Sequence, residues 1–223
     1  MVQVLLSGAS KGIGLEIYKI IKTCKKIDEI FLIGRKKYKS THQRVKSISV
    51  DLGESQIIKQ LPLSIAINST VIFINNAGVI EPISKLIDSD YKEITHNFNI
   101  NFFSPIQIAQ YLAKETLSVN SNLIIINITS GASKRPIPGW TSYCASKSSM
   151  KIALDILDIE NKHINVIHHD PGVVDTDMQK TMRSHSSDVM PDVNLFKDLA
   201  DKKKLKSPAF CANEIYEILK QYL

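Results

Sequence analysis

The apolar run Val2 to Leu6 breaks without a polar pause into Ser7-Gly8-Ala9-Ser10-Lys11-Gly12-Ile13-Gly14, and Leu15, Ile17, Ile20 and Ile21 then recur at helical spacing. A short, continuously apolar run is the pattern of a strand buried on both faces. A strand that turns through three glycines straight into a helix brings the helix N-terminus, with its unpaired N–H groups and partial positive charge, to the end of that strand. Glycines at such a turn let the backbone approach a pyrophosphate closely. The spacing Gly8-x-x-x-Gly12-x-Gly14 differs from the commoner Gly-x-Gly-x-x-Gly, and an ordinary glycine-rich turn is the alternative.

The same alternation continues along the chain. Apolar runs at Ile30 to Ile33, Val45 to Val50, Val71 to Ile74, Leu123 to Ile128 and Ile164 to Ile167 read as strands. Helical patterns lie near 12–25, 54–61, 103–118, 144–161 and 209–222. Strands alternating with helices imply parallel pairing through right-handed crossovers. The expected fold is therefore α/β, a Rossmann-type doubly wound parallel sheet of six to seven strands with helices on both faces, in three layers α/β/α. No linker or repeat interrupts it, so residues 1–223 form one expected domain, and ligands should bind where strands end. The stretch from Met178 to Lys206 is polar and weakly periodic, which predicts a mobile substrate-covering segment over about 175–206.

Composition narrows the function classes. There is no apolar stretch long enough to cross a bilayer, and a strand beginning at residue 2 leaves no room for a targeting segment. Cys24, Cys144 and Cys211 form an odd set without metal-ligand spacing, which points to reduced thiols, a cytoplasmic location and no metal. The 28 basic residues exceed the 22 acidic ones. The lysine runs at 22–26, 36–39 and 202–206 lack interleaved aromatics, so a nucleic-acid partner is not expected.

Two further features carry chemistry. Tyr143 and Lys147 stand four apart in Trp140-Thr-Ser-Tyr143-Cys-Ala-Ser-Lys147, on one face of a helix. An ammonium beside a phenol lowers the phenol pKa towards the working range of an acid-base catalyst. Tyr-x-x-x-Lys alone is common on exposed helices. The second strand ends at Gly34-Arg35-Lys36, with no acid to accept from an adenosine ribose and two cations suited to a 2′-phosphate. Lys11 adds charge on the same side. NADPH/NADP+ is therefore expected over NAD. Asp51, after the third strand, is an acceptor for an adenine amino group or else a local cap.

Taken in order, Ser7-Gly8-x-x-x-Gly12-x-Gly14, Asn75-Asn76-Ala77-Gly78, Asn101, Ser130, Tyr143-x-x-x-Lys147 and Pro171-Gly172 resemble the classical short-chain dehydrogenase/reductases. The resemblance covers almost the whole chain. It implies a nicotinamide dinucleotide held by Gly8, Ser10, Lys11, Gly12, Ile13 and Gly14, by Arg35, Lys36, Asp51 and Leu52, and by Asn76, Ala77 and Gly78. On the nicotinamide side it adds Tyr143, Lys147, Pro171, Gly172, Val174 and Thr176. It implies a catalytic set of Asn101, Ser130, Tyr143 and Lys147. In that set Ser130 polarises a carbonyl, Tyr143 gives the proton, Lys147 keeps the Tyr143 pKa low and Asn101 holds a relay water. By sequence alone Asn97 and Asn99 rival Asn101, and Thr129 is an alternative hydroxyl to Ser130.

The run from Gly139 to Lys147, with Pro171-Gly-Val-Val-Asp-Thr-Asp-Met178-Gln-Lys-Thr-Met182, looks most like the sepiapterin reductase and benzil reductase branch. That likeness implies a small-molecule carbonyl substrate, one carbonyl of a vicinal diketone, against apolar walls from Trp140, Met178 and Met182, with Phe196 as a further candidate. Ser7 stands where threonine is usual, and His169-Asp170 where a small or amide residue is usual. The chain ends at Leu223 without the final strand and tail of most relatives, which favours a homodimer through the helices near 103–118 and 144–161. The alternative is a catalytically silent dinucleotide-sensing regulator, which would keep the glycine turn and lose the catalytic hydroxyls.

Overall fold

A computed structural model describes residues 1–38, 42–54, 56–57, 61 and 63–223. Six strands, β1 (Val2–Ser7), β2 (Glu29–Gly34), β3 (Val45–Ser49), β4 (Thr70–Asn75), β5 (Asn122–Ile128) and β6 (Ile164–His169), form one sheet in the order β3-β2-β1-β4-β5-β6. Every pairing is parallel. Strand order reverses between β1 and β4, and in an open α/β sheet the crevice at that switch point is where ligands bind.

Both faces of the sheet are apolar because both are covered. Leu5, Val71, Phe73, Leu123 and Ile125 point to one side, against Ile108 and Leu112 of α3 (Ser104–Ser118) and Met150 and Leu154 of α4 (Thr141–Glu160). Val4, Leu6, Ile72, Ile74, Ile124 and Ile126 point to the other, against Ile17 and Ile21 of α1 (Gly12–Ile21) and Ala212, Ile215 and Leu219 of α7 (Pro208–Leu219). Period-2 alternation in the strands meets i, i+4 pairs on the helices, which is how a three-layer core closes. Each fully buried Leu, Ile or Phe contributes roughly 1.5–3 kcal/mol.

Two elements depart from the sequence reading. The helix at 104–118 is preceded by α2 (Tyr91–Phe98), and a π-helical turn over Asn99–Phe103 joins them. A π turn shifts the register of the side chains that follow it and recurs at functional sites. The segment after β6 is helical, with α5 (Asp177–Arg183) and α6 (Val193–Asp201). Its base is pinned where Val174 and Lys206 pair as a parallel bridge. Met182, Met190, Val193 and Phe196 then form a third apolar cluster with Trp140 and Tyr143. The apolar residues of this segment are spread over two short helices, too few per helix to show a period. Of the helix expected near 54–61, residues 55 and 58–60 lie outside the described residues, and 54, 56, 57 and 61 are not helical.

Candidate active site

The carboxyl ends of β1 and β4 are stitched together by side chains. Ser7 Oγ accepts from the backbone N–H groups of Asn76 and Ala77, each at 3.0 Å, and the Asn76 amide donates to the carbonyls of Ser7 and Gly8, each at 3.1 Å. Gly8 adopts φ +72°, and a Cβ there would stand 2.9 Å from Ala77 Cα. Gly14 is tighter still, since a Cβ would fall 2.2 Å from the Gly8 carbonyl oxygen. The helix N-terminus thus packs directly on the turn, and no side chain caps α1 at Lys11. Its first N–H groups are left for a ligand.

A cleft of about 740 Å³ runs from this turn across the strand ends. Gly8, Ser10, Lys11, Gly12 and Ile13 line one end with Arg35, Lys36, Asp51 and Leu52. Asn76, Ala77 and Gly78 line the middle, and Ser130, Tyr143, Lys147, Pro171, Gly172, Val174 and Thr176 line the far side. Trp140, Met178 and Met182 close that side, joined by Phe196. The glycine cradle, the uncapped helix end and the paired cations fit an elongated dianionic dinucleotide.

Two expected residues stand outside the lining. Gly14 serves the close packing of α1 on the turn. Asn101 is buried behind the cleft in the π turn, where its amide donates to the Val79 carbonyl at 2.8 Å and to Asn97 Oδ1 at 2.9 Å, and its Oδ1 accepts from Val79 N at 2.9 Å. Of its two rivals, Asn99 points elsewhere and donates to the Gly53 carbonyl, whereas Asn97 belongs to the same network, donating to the carbonyls of Val79 and Glu81. Asp51 lines the cleft and accepts from Gly53 N at 2.9 Å in a turn, where no helix starts to be capped.

Tyr143, Lys147, Met150 and Leu154 share one buried face of α4. Packing of the lower two against the sheet therefore places the upper two at the strand ends. Lys147 donates to the Ile128 carbonyl at 3.0 Å, and its ammonium lies 5.8 Å from the Tyr143 ring centre. Ser130, two residues beyond β5, has its hydroxyl close enough to Tyr143 to lower the phenol pKa. Gly78 opposite keeps the space open, since a Cβ there would approach Asn101 Oδ1 at 3.1 Å and Lys147 Nζ at 3.6 Å.

The electrostatics correct one expectation. Burial pushes the Tyr143 phenol up to about 12, and the neighbouring Ser130 hydroxyl offsets only part of that rise. Burial likewise pushes the Lys147 ammonium down to about 8. Lys147 does not hold the phenol low here, because desolvation penalises the charged form of each group more than either assists the other.

Sequence reasoning missed several residues that share the cleft, among them Tyr38, Arg135 and Gln179, and singled out Asp170 only as a departure from the family pattern. The Tyr38 ring lies 6.2 Å from the Tyr18 ring, and burial raises its phenol pKa. Asp170, part of the unusual His169-Asp170 pair, accepts from Gly172 N at 3.0 Å and shapes the turn after β6. Gln179 follows Thr176 by three, a helix-start spacing that could have been noticed.

A parallel sheet in this order, with a dinucleotide-shaped crevice and a Ser, Tyr, Lys cluster at its mouth, defines a nucleotide-dependent oxidoreductase. The model of the short chain dehydrogenase family matches residues 3–187, and the chain belongs to that family. It is 30% identical to a benzil reductase ((S)-benzoin forming) of Bacillus subtilis over 97% of this chain and 93% of that one. A sepiapterin reductase of Xenopus tropicalis is 27% identical over 96% of this chain and 90% of its own. Among solved structures, the KRED1-Pglu enzyme superposes with a TM-score of 0.81, covering 100% of this chain and 96% of that one at 23% identity.

Proposed function

We propose that the protein is an NADPH-dependent carbonyl reductase acting on a ketone, one carbonyl of a vicinal aromatic or pterin-like diketone. The observation that carries this is the convergence of Ser130, Tyr143 and Lys147 on one cleft that continues to the glycine turn. When bound, the dinucleotide supplies a hydride. Gly8 to Ile13 hold its pyrophosphate, Arg35 and Lys36 its 2′-phosphate, and the Val174 and Thr176 region its carboxamide.

Ser130 hydrogen-bonds the substrate carbonyl oxygen, and Tyr143 delivers a proton to it as negative charge develops. A phenol kept protonated at neutral pH is the form a proton donor requires. The Lys147 ammonium stabilises the phenolate as it forms and holds the nicotinamide ribose. Asn101, behind Gly78, positions the water that returns the proton. Trp140, Met178 and Met182 provide the apolar wall, and the helical excursion of about 175–206 covers the substrate.

The same reading makes the enzyme a cytoplasmic homodimer. Its three cysteines are free, and no helix among the described residues is long and apolar enough to cross a membrane. Ile152, Ile156 and Ile159 leave an apolar face exposed on α4. The test is NADPH oxidation, followed by absorbance, with 1-phenyl-1,2-propanedione, benzil and sepiapterin, repeated with NADH. Tyr143→Phe should lower kcat on the order of 100-fold or more while NADPH affinity stays nearly unchanged. Equal turnover in that variant refutes the assignment, and tight NADPH binding with no dicarbonyl reduced would favour the regulator.

A further inference from the structure

Strands β5 and β6 end as a pair, with Ile128 opposite His169 and the Thr129 N–H donating to the His169 carbonyl at 2.9 Å. Ser130 and Asp170 therefore leave the sheet side by side, about one strand spacing of 4.8 Å apart. Both line the cleft, together with Gly131 and Tyr143. Asp170 is half-buried. Its Oδ1 accepts from Gly172 N at 3.0 Å, while its Oδ2 stands 3.8 Å from where a Gly131 Cβ would lie. The second oxygen is thus turned towards the turn that carries Ser130.

Among the described residues no cation pairs with this carboxylate. Arg135, which also lines the cleft, lies 3.6 Å from Asp192, and Lys147 donates to the Ile128 carbonyl. His169, whose imidazole burial holds below its ordinary pKa, lies 3.6 Å from Glu214 of α7. The Asp170 charge is felt instead at the Tyr143 phenol, whose pKa it raises further after burial has done so. When Tyr143 gives up its proton it becomes a phenolate, which a carboxylate on the same wall destabilises. For a neutral ketone such a residue is a handicap that a small or amide side chain would avoid.

Building on the carbonyl-reductase reading, and independently of any second carbonyl, we propose that Asp170 is a specificity-determining residue that binds a protonated amine of the substrate, close to the reacting carbonyl. The substrate class is then an amino ketone. Ser130 holds the carbonyl oxygen, and an ammonium on the neighbouring carbon reaches Asp170 beside it. A bond from an ammonium N–H to a carboxylate is stronger than one between neutral groups. The bound cation also cancels the charge that opposes phenolate formation, so it assists the chemical step as well as binding.

The test compares 2-(dimethylamino)acetophenone, assayed below the pKa of its amine, with isovalerophenone, its uncharged carbon isostere. Wild-type kcat/KM should favour the amine. Asp170→Asn keeps an oxygen to accept from Gly172 N and deletes the charge. The amine-to-isostere ratio of kcat/KM should then fall on the order of tenfold, while the rate on isovalerophenone rises. In the wild type itself the preference should fade as pH is raised through the pKa of the substrate amine, with isovalerophenone as the baseline. A wild type without preference for the amine overturns the proposal, as does an unchanged ratio in Asp170→Asn, which marks a carboxylate that only shapes the turn. If the wild type reduces neither ketone, the carbonyl-reductase reading fails, and binding alone decides the subsite. Trp140 is the single tryptophan and lines the cleft, so quenching of its fluorescence in the presence of NADP+ reports occupancy. Tighter binding of the amine than of the isostere, lost in Asp170→Asn, upholds the subsite, and equal binding of the two refutes it.

Discussion

Replacing Lys147 by methionine should make the protein more stable at neutral pH while removing its turnover. Burial lowers the ammonium pKa from 10.5 to about 8. At 1.36 kcal/mol per unit, holding the charge inside costs about 3 kcal/mol below pH ~8. Methionine has similar length and no charge to desolvate. The variant loses the hydrogen bond from Nζ to the Ile128 carbonyl, worth about 1 kcal/mol. The net gain is about 2 kcal/mol, or about 4–8 °C in melting temperature for a domain of this size.

The pH dependence separates this cause from general repacking. The folded pKa lies below the unfolded one, so between about pH 8 and 10.5 the unfolded chain holds a proton that the native chain has released. Wild-type stability therefore rises with pH across that window relative to the variant. The advantage of the methionine protein, about 2 kcal/mol near pH 7, should shrink to nearly nothing by about pH 10. Urea unfolding followed by circular dichroism, run on both proteins through that range, measures the difference directly. A variant less stable than wild type at neutral pH, or a difference that does not change with pH, would refute the reasoning.

Arg35→Ala combined with Lys36→Ala should raise KM for NADPH on the order of 10–100-fold and leave KM for NADH nearly unchanged; steady-state kinetics with both cofactors measures the ratio. Gly14→Ala places a Cβ 2.2 Å from the Gly8 carbonyl oxygen, so backbone must move at a cost of about 1–3 kcal/mol or more, and calorimetry should show a melting temperature lower by several degrees. Gly34→Ala, with nothing among the described residues within 4 Å of its Cβ, is the control and should melt like the wild type.

The six strands were legible because each is an unbroken apolar run, and a doubly covered sheet needs such runs. The glycine turn and the Tyr143/Lys147 pair were legible for a related reason, since both are local: a turn or an i, i+4 spacing is complete within a few residues. Helix α2 escaped notice because its eight residues bury only Asn97 and so show no apolar stripe. The helix at 193–201 escaped because its buried residues Val193 and Phe196 pack in one cluster with Trp140 and Tyr143, far away in the chain.

By itself, the order of residues determined the parallel sheet, the placing of a ligand at the strand ends, the family likeness and the identity of the groups gathered there, because periodicity and turn chemistry act over short distances. Tertiary structure alone decided what those groups experience. Desolvation, which depends on everything packed around a side chain, drives the Tyr143 phenol to about 12 and the Lys147 ammonium to about 8, opposite to the mutual assistance their spacing suggested. It also left the Gln179 amide and the Trp140 N–H buried without partners among the described residues, since only the folded chain shows which hydrogen bonds have been completed.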